Sequence, residues 1–277
     1  MCKPRTKDAT DVAVYSPYDT VAEQEDAFTE SMREFYRTVQ WEYANGEVEM
    51  DRKKERERLY AILLIFLVSM HDGGYQDGVE RLRGAVPAIP AVPFPVPAES
   101  PAFIFAKEEA ARAAKSIVET IHEEMKAAAS KAEEAGLPPD EVKAAAGAKL
   151  DELTKVGPER VSSTETVKAF NAGTIQAWDD SGVVDSVKWH TQEDERVCPF
   201  CEAMNTIIRS IGAPFWLKGE TMYVDRERPG YFSASPFGEP GPYKLQMVFD
   251  YDDVDGPPLH VLCRCYLEFV LGNDNGN

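Results

Sequence analysis

At 277 residues and 43% hydrophobic content, the chain is long enough for one large or two ordinary domains with a real core, which excludes a disordered polymer. Asp and Glu outnumber Lys and Arg by 48 to 30, a net charge of -18, so a phosphate backbone repels the chain and sequence-specific nucleic-acid binding is not expected. The opening "MCKPRTKDATDVAVYSPYD" has no apolar core after its basic residues, so no secretory signal is expected and a cytosol is the expected folding compartment.

The first expected element is an amphipathic helix between Ala22 and Glu47, where Phe28, Met32, Phe35, Val39 and Tyr43 recur at spacings of three and four. Asn45-Gly46 is its stop. A second helix runs from about Asp51 to the glycines of "HDGGYQDG", so residues 1-85 read as a helical hairpin region. Its apolar run, Leu59 to Met70, is 12 residues against the roughly 20 needed to cross a bilayer, and it is expected as a buried helix with no membrane partner.

Prolines at 87, 90, 93, 95, 97 and 101 make residues 86-101 an extended, Pro-rich linker. Residues 102-182 read as long helices rich in Ala, Glu and Lys. The first ends at Gly136. The second is opened by Pro139-Asp140 and closed by Gly157, and a third starts on Pro158. His71 and His122 read as surface histidines. From residue 183 to 277 the texture changes to strands and loops. "VVDSVKWHT", "KLQMVFDY" and "CRCYLEFVL" suit strands, "EAMNTIIRSIG" a short helix, and Gly219 to Pro242 a long loop. The expected fold class is α+β, with a helical N-terminal and central region before a small, mixed, β-rich domain.

Four of the five cysteines lie in that last part. Cys198-Pro-Phe-Cys201 has the two-residue gap that aims two sulfurs at one point, and His260-Val-Leu-Cys263 repeats the gap with an imidazole first. Cys265 is a fifth candidate, because positions i and i+2 of an extended strand face one side. The 58 residues between Cys201 and His260 far exceed a DNA-reading finger's spacing. The expected role is a structural zinc that staples two distant stretches, with four of the five candidates as ligands. Two alternatives stand beside it: a pair of disulfides, against which a cytosolic origin and the Cys-x-Cys spacing count, and redox chemistry at Cys-x-x-Cys, whose usual βαβ setting is missing. Glu193, Asp194 and Glu195 are candidate bases for a catalytic zinc, though an acidic run beside a turn more simply makes a solvated loop. His190 ranks low as a ligand, Cys2 is expected to be unpaired, and no catalytic residue is assigned.

These motifs, in this order, resemble the Mu F-like minor head proteins of tailed bacteriophages. Thr164-Glu165 and Asn171 fit the family's helix, Trp189 and Thr191 its Trp-x-Thr strand, and Asp194 and Arg196 its Asp-x-Arg. Cys198 and Cys201 give its Cys-x-x-Cys, and His260, Cys263, Arg264 and Cys265 its closing motif, with Val261 where the family usually carries Pro. The resemblance spans roughly residues 159-268. It implies a low-copy capsid protein of the phage head, not an enzyme, that acts at the portal vertex in assembly, DNA packaging or DNA release. The implied partners are the portal protein, the major capsid protein or scaffold, and the implied places are the virion and, during assembly, the host cytoplasm. Domains of this family also occur joined to toxin modules, so a zinc-dependent hydrolase or nuclease is the alternative.

Overall fold

The computed structural model describes residues 21–45, 51–86, 100–192, 197–234, 244–250 and 252–271. Cys2, the prolines from 87 to 97, the acidic run with Arg196, and the later part of the expected 219–242 loop lie outside them. Long helices come first and short antiparallel strands last, as the α+β reading expects. Among the described residues no helix is long and apolar enough to cross a membrane. Two compact units interleave along the chain: a helical unit from residues 21–70 and 94–166, and a sheet unit from 71–93 and 167–277.

The helical unit holds α1 (Ala22–Ala44), the first part of α2 (Arg52–Ala85), α3 (Pro101–Glu134) and α4 (Pro139–Ser181) up to Thr166. Asp51 opens α2 by accepting the backbone N–H groups of Lys53 and Lys54 at 3.1 Å. Within the apolar run only one face is buried. Leu59, Leu63, Leu67 and Met70 are fully covered while Ile65 is 68% exposed, so the run is an amphipathic stripe. Phe28, Met32, Phe35 and Val39 of α1 are buried too, and the rings of Phe28 and Phe66 stack at 4.8 Å. Each such side chain contributes about 1.5–3 kcal/mol by leaving water.

Pro101, assigned to the linker from sequence, is the first residue of α3. Ser100 caps that helix by accepting from Phe103 N at 3.1 Å, and a proline costs nothing where the N–H would be unpaired. The break expected at Gly157-Pro158 is absent, and α4 runs through both residues. Pro158 removes one backbone bond, but Gly157 serves close packing rather than termination. A Cβ there would sit 2.6 Å from the Tyr36 ring.

The sheet unit combines the later parts of α2 and α4 with α5 (Pro199–Met204) and six strands. β1 (Val184–His190) lies between β2 (Ile208–Ser210) and β6 (Tyr266–Leu271), while β3 (Thr221–Asp225) lies between β4 (Phe232–Ser233) and β5 (Lys244–Val248). Pairing within both sheets is antiparallel. The β1–β6 ladder ends with His190 opposite Tyr266. Trp178, Trp189, Phe215, Trp216 and Phe249 form the core with Leu82 and the four cysteines. Arg81 ties α2 to β6: its guanidinium donates twice to the Leu267 carbonyl at 3.0 Å and lies 4.7 Å from the centre of the Trp178 ring.

Four expectations need correction in this unit. The glycines of "HDGGYQDG" do not stop α2. They let α2 and α4 touch backbone to backbone: a Cβ on Gly74 would lie 1.9 Å from the Phe170 carbonyl oxygen, and one on Gly173 the same distance from that of His71. His71, expected at the surface, is buried at this crossing with 3% exposure, and burial pushes its imidazole down to about 4. The expected helix "EAMNTIIRSIG" is replaced by α5, which ends at Met204, and the β-branched Ile207-Ile208 joins the β1 edge through Trp189 N donating to Ile207 O at 2.8 Å. The stretch from residue 219 is also more than a loop, because β3 and β4 lie in it.

Candidate metal centre

Cys198 is the N-cap of α5, with Pro199 at the first helical position, and its Sγ accepts the Cys201 N–H at 3.4 Å. The helix start thereby turns both sulfurs to one side. His260 and Cys263 bracket a turn closed by Cys263 N donating to His260 O at 3.0 Å, with Leu262 at φ 62°. That geometry is the second corner of a type II turn, whose first corner favours proline. Val261 stands at the first corner and the turn closes without it. Cys265 follows two residues on, just before β6.

All five candidates come together. Cys198, Cys201 and His260 form one group and Cys201, Cys263 and Cys265 another, with the ligand atoms inside each group within 4.8 Å of one another. The two groups share Cys201. Its Sγ lies 3.0 Å from His260 Nε2 and 3.7 Å from Cys263 Sγ, and Cys198 Sγ is also 3.0 Å from Nε2. Tetrahedral zinc, with bonds of about 2.3 Å to sulfur and 2.0 Å to nitrogen, sets ligand edges near 3.8 Å for S···S and 3.5 Å for S···N. The sulfur edge fits as it stands, and the nitrogen edges need to open by about half an ångström. His260 Nδ1 meets the Val261 carbonyl at 2.8 Å, where it donates, so the imidazole is oriented with Nε2 toward the sulfurs.

The electrostatics fit a cation. The four cysteines are buried and none of them is in a disulfide, so the disulfide alternative finds no support among the described residues. Hydrogen bonds from Cys198, Cys263 and Cys265 hold the Cys201 proton on, and burial does the same for Cys265. At Cys263 burial works the same way but is outweighed by hydrogen bonds from Cys201 and Cys265 and by the His260 charge, so its thiol is shifted well down. Burial disfavours a charged His260, yet the sulfurs of Cys198 and Cys263 hold it up at about 9. A divalent ion bound here would take the place of the protons these side chains carry. Cys198, Cys201, His260, Cys263 and Cys265 can hold a metal ion.

His190 is elsewhere engaged. It stacks on Tyr266 and lies 3.3 Å from Glu268, which also meets Lys188 across the ladder. Sequence reasoning gave Thr191 no chemical role. Its hydroxyl donates to the Cys201 carbonyl at 2.6 Å and lies 3.6 Å from Cys265 Sγ, while its N–H donates to Asn205 Oδ1 at 3.1 Å. No local signal announces a contact between residues 74 apart. Among the other residues of the resemblance, Asn171 is buried and donates to Val167 O, and Trp189 is buried in the core.

Compared with known proteins, the chain matches no family model, no curated protein and no solved structure.

Proposed function

We propose that the chain is a minor capsid protein of a tailed phage, present in few copies and acting at the portal vertex in head assembly, DNA packaging or DNA release. One observation carries this reading. The motif residues on which the Mu F-like resemblance rests, Cys-x-x-Cys and His-x-x-Cys-x-Cys, meet at one buried centre although 58 residues separate them. The centre's role in this reading is structural zinc. The ion closes a long loop and fixes the end of the sheet, and the four sulfurs around it are buried. The helices supply surfaces for the portal or major capsid protein, and the net charge of -18 keeps the protein off the packaged genome.

The test is quantitative mass spectrometry of gradient-purified phage particles and procapsids, counting this chain against portal and major capsid protein. A few copies per particle is the expected result. Absence from both would overturn the head assignment, and metal-dependent cutting of DNA or RNA by the purified protein would replace it with the nuclease alternative.

A further inference from the structure

The five donors of the centre fall into two groups that overlap at one sulfur. Resting on the zinc reading above, we propose that the centre takes two zinc ions, one held by Cys198, Cys201 and His260 and the other by Cys201, Cys263 and Cys265, with the Cys201 thiolate bridging them.

The first argument is spacing. The ligands of one tetrahedral zinc lie at most about 3.8 Å from one another. Within each group the donor atoms lie inside 4.8 Å of one another, and among the described residues no four of the five do. One ion on four donors has to draw atoms together across the two groups, whereas two ions ask only for small shifts within each. The second argument is the place of Cys201. It belongs to both groups, its Sγ meeting His260 Nε2 of one at 3.0 Å and Cys263 Sγ of the other at 3.7 Å. A thiolate sulfur has more than one lone pair to give, so it can bind two ions at once. The third argument is charge. Metal binds cysteine as thiolate, so four ligated cysteines bring four negative charges into a centre where all of them are buried. Two divalent ions cancel that charge, and a single ion on the same four thiolates leaves half of it uncompensated away from water. Each group joins the Cys-x-x-Cys stretch to the closing motif, so each ion is a staple in its own right. Three protein donors leave each zinc a fourth place for water.

The experiment uses the full chain saturated with zinc or with cobalt(II). It reads metal per chain by native mass spectrometry, the separation of the ions by zinc-edge X-ray absorption, and the coupling between them by the magnetic susceptibility of the cobalt form. Expected for the wild type are two ions per chain and a zinc–zinc distance of about 3.5 Å, which two bonds of about 2.3 Å to one sulfur allow. The cobalt moment per ion should fall below that of isolated ions, because the shared sulfur couples their spins. His260→Ala and Cys265→Ser each take a donor from one group alone, so each should lower the count to one ion and restore the uncoupled moment. Cys201→Ser takes a donor from both groups, and the binding of both ions should weaken by about tenfold or more. The wild-type count and the zinc–zinc distance decide without the variants, should these fail to fold. One ion per folded wild-type chain at saturating zinc, or two ions with no short zinc–zinc distance and an uncoupled moment, would overturn the assignment and leave the zinc reading standing. Folded wild-type protein that binds neither metal would overturn both.

Discussion

Replacing Gly74 with alanine tests the claim that the α2–α4 crossing is a contact of backbone with backbone. The new Cβ would lie 1.9 Å from the Phe170 carbonyl oxygen, 2.6 Å from its carbon and 2.9 Å from its Cα, none of which is a side-chain end that can swing away. Restoring an ordinary contact of about 3.3–3.5 Å requires the two helices to part by more than an ångström, at an overpacking cost of about 3 kcal/mol. Alanine's better helix propensity offsets about 1 kcal/mol of that, for a net loss of about 2 kcal/mol. In a unit of this size that lowers the melting temperature by about 5–10 °C, measurable by circular dichroism or urea titration. Gly173→Ala closes the same gap from the other side, with its Cβ 1.9 Å from the His71 oxygen, so the double variant should cost less than the sum of the singles. Gly84→Ala is the control: it lies in the same helix with nothing within 4 Å of its Cβ and should be neutral or stabilising. A Gly74→Ala protein as stable as wild type would refute the reasoning.

His71 has a folded-state value near 4, below its free value of 6.5, so the unfolded chain binds the extra proton between them; stability is full above pH 6.5 and falls toward pH 4. Urea midpoints at pH 7 and pH 5 should show a loss of about 2 kcal/mol that His71→Phe removes. Glu55 runs the other way. Burial pushes its carboxyl up to about 7 beside Glu42, so its contribution is full below pH 4.5 and is lost as pH rises through 7; Glu55→Gln should be the more stable protein at pH 8, with the difference closing by pH 5. Val261→Pro should stabilise the sheet unit by about 0.4–1 kcal/mol in thermal unfolding, because it presets the first corner of the His260–Cys263 turn, and a loss of stability would show that the corner has a different backbone.

Periodicity made α1 legible, because Phe28, Met32, Phe35 and Val39 do bury one stripe. The gathering of Cys198, Cys201, His260, Cys263 and Cys265 into one cluster that can hold a metal ion was legible as well, since such spacing depends on local turns that short motifs encode. What misled the reading was glycine. Gly74, Gly78 and Gly157 carry the same letter as a helix stop, and only the partner surface reveals whether a glycine ends a helix or lets another element approach it. The same limit hid His71, whose burial depends on a helix a hundred residues away. Strands β3 and β4 were missed because five and two residues between turn formers leave too short a run for alternation to register.

The ladder between β1 and β6 ends where the metal ligands begin, with His190 opposite Tyr266 and the cysteines immediately beyond. A slip of one residue along that ladder would turn every side chain of a strand to the wrong face, and a slip of two would pull Cys263 about 7 Å from Cys201. A bound ion therefore pins the register of the sheet. Opening of the β1–β6 ladder and release of the metal become a single event, and the amides of both strands should exchange with solvent at one common rate set by the ion.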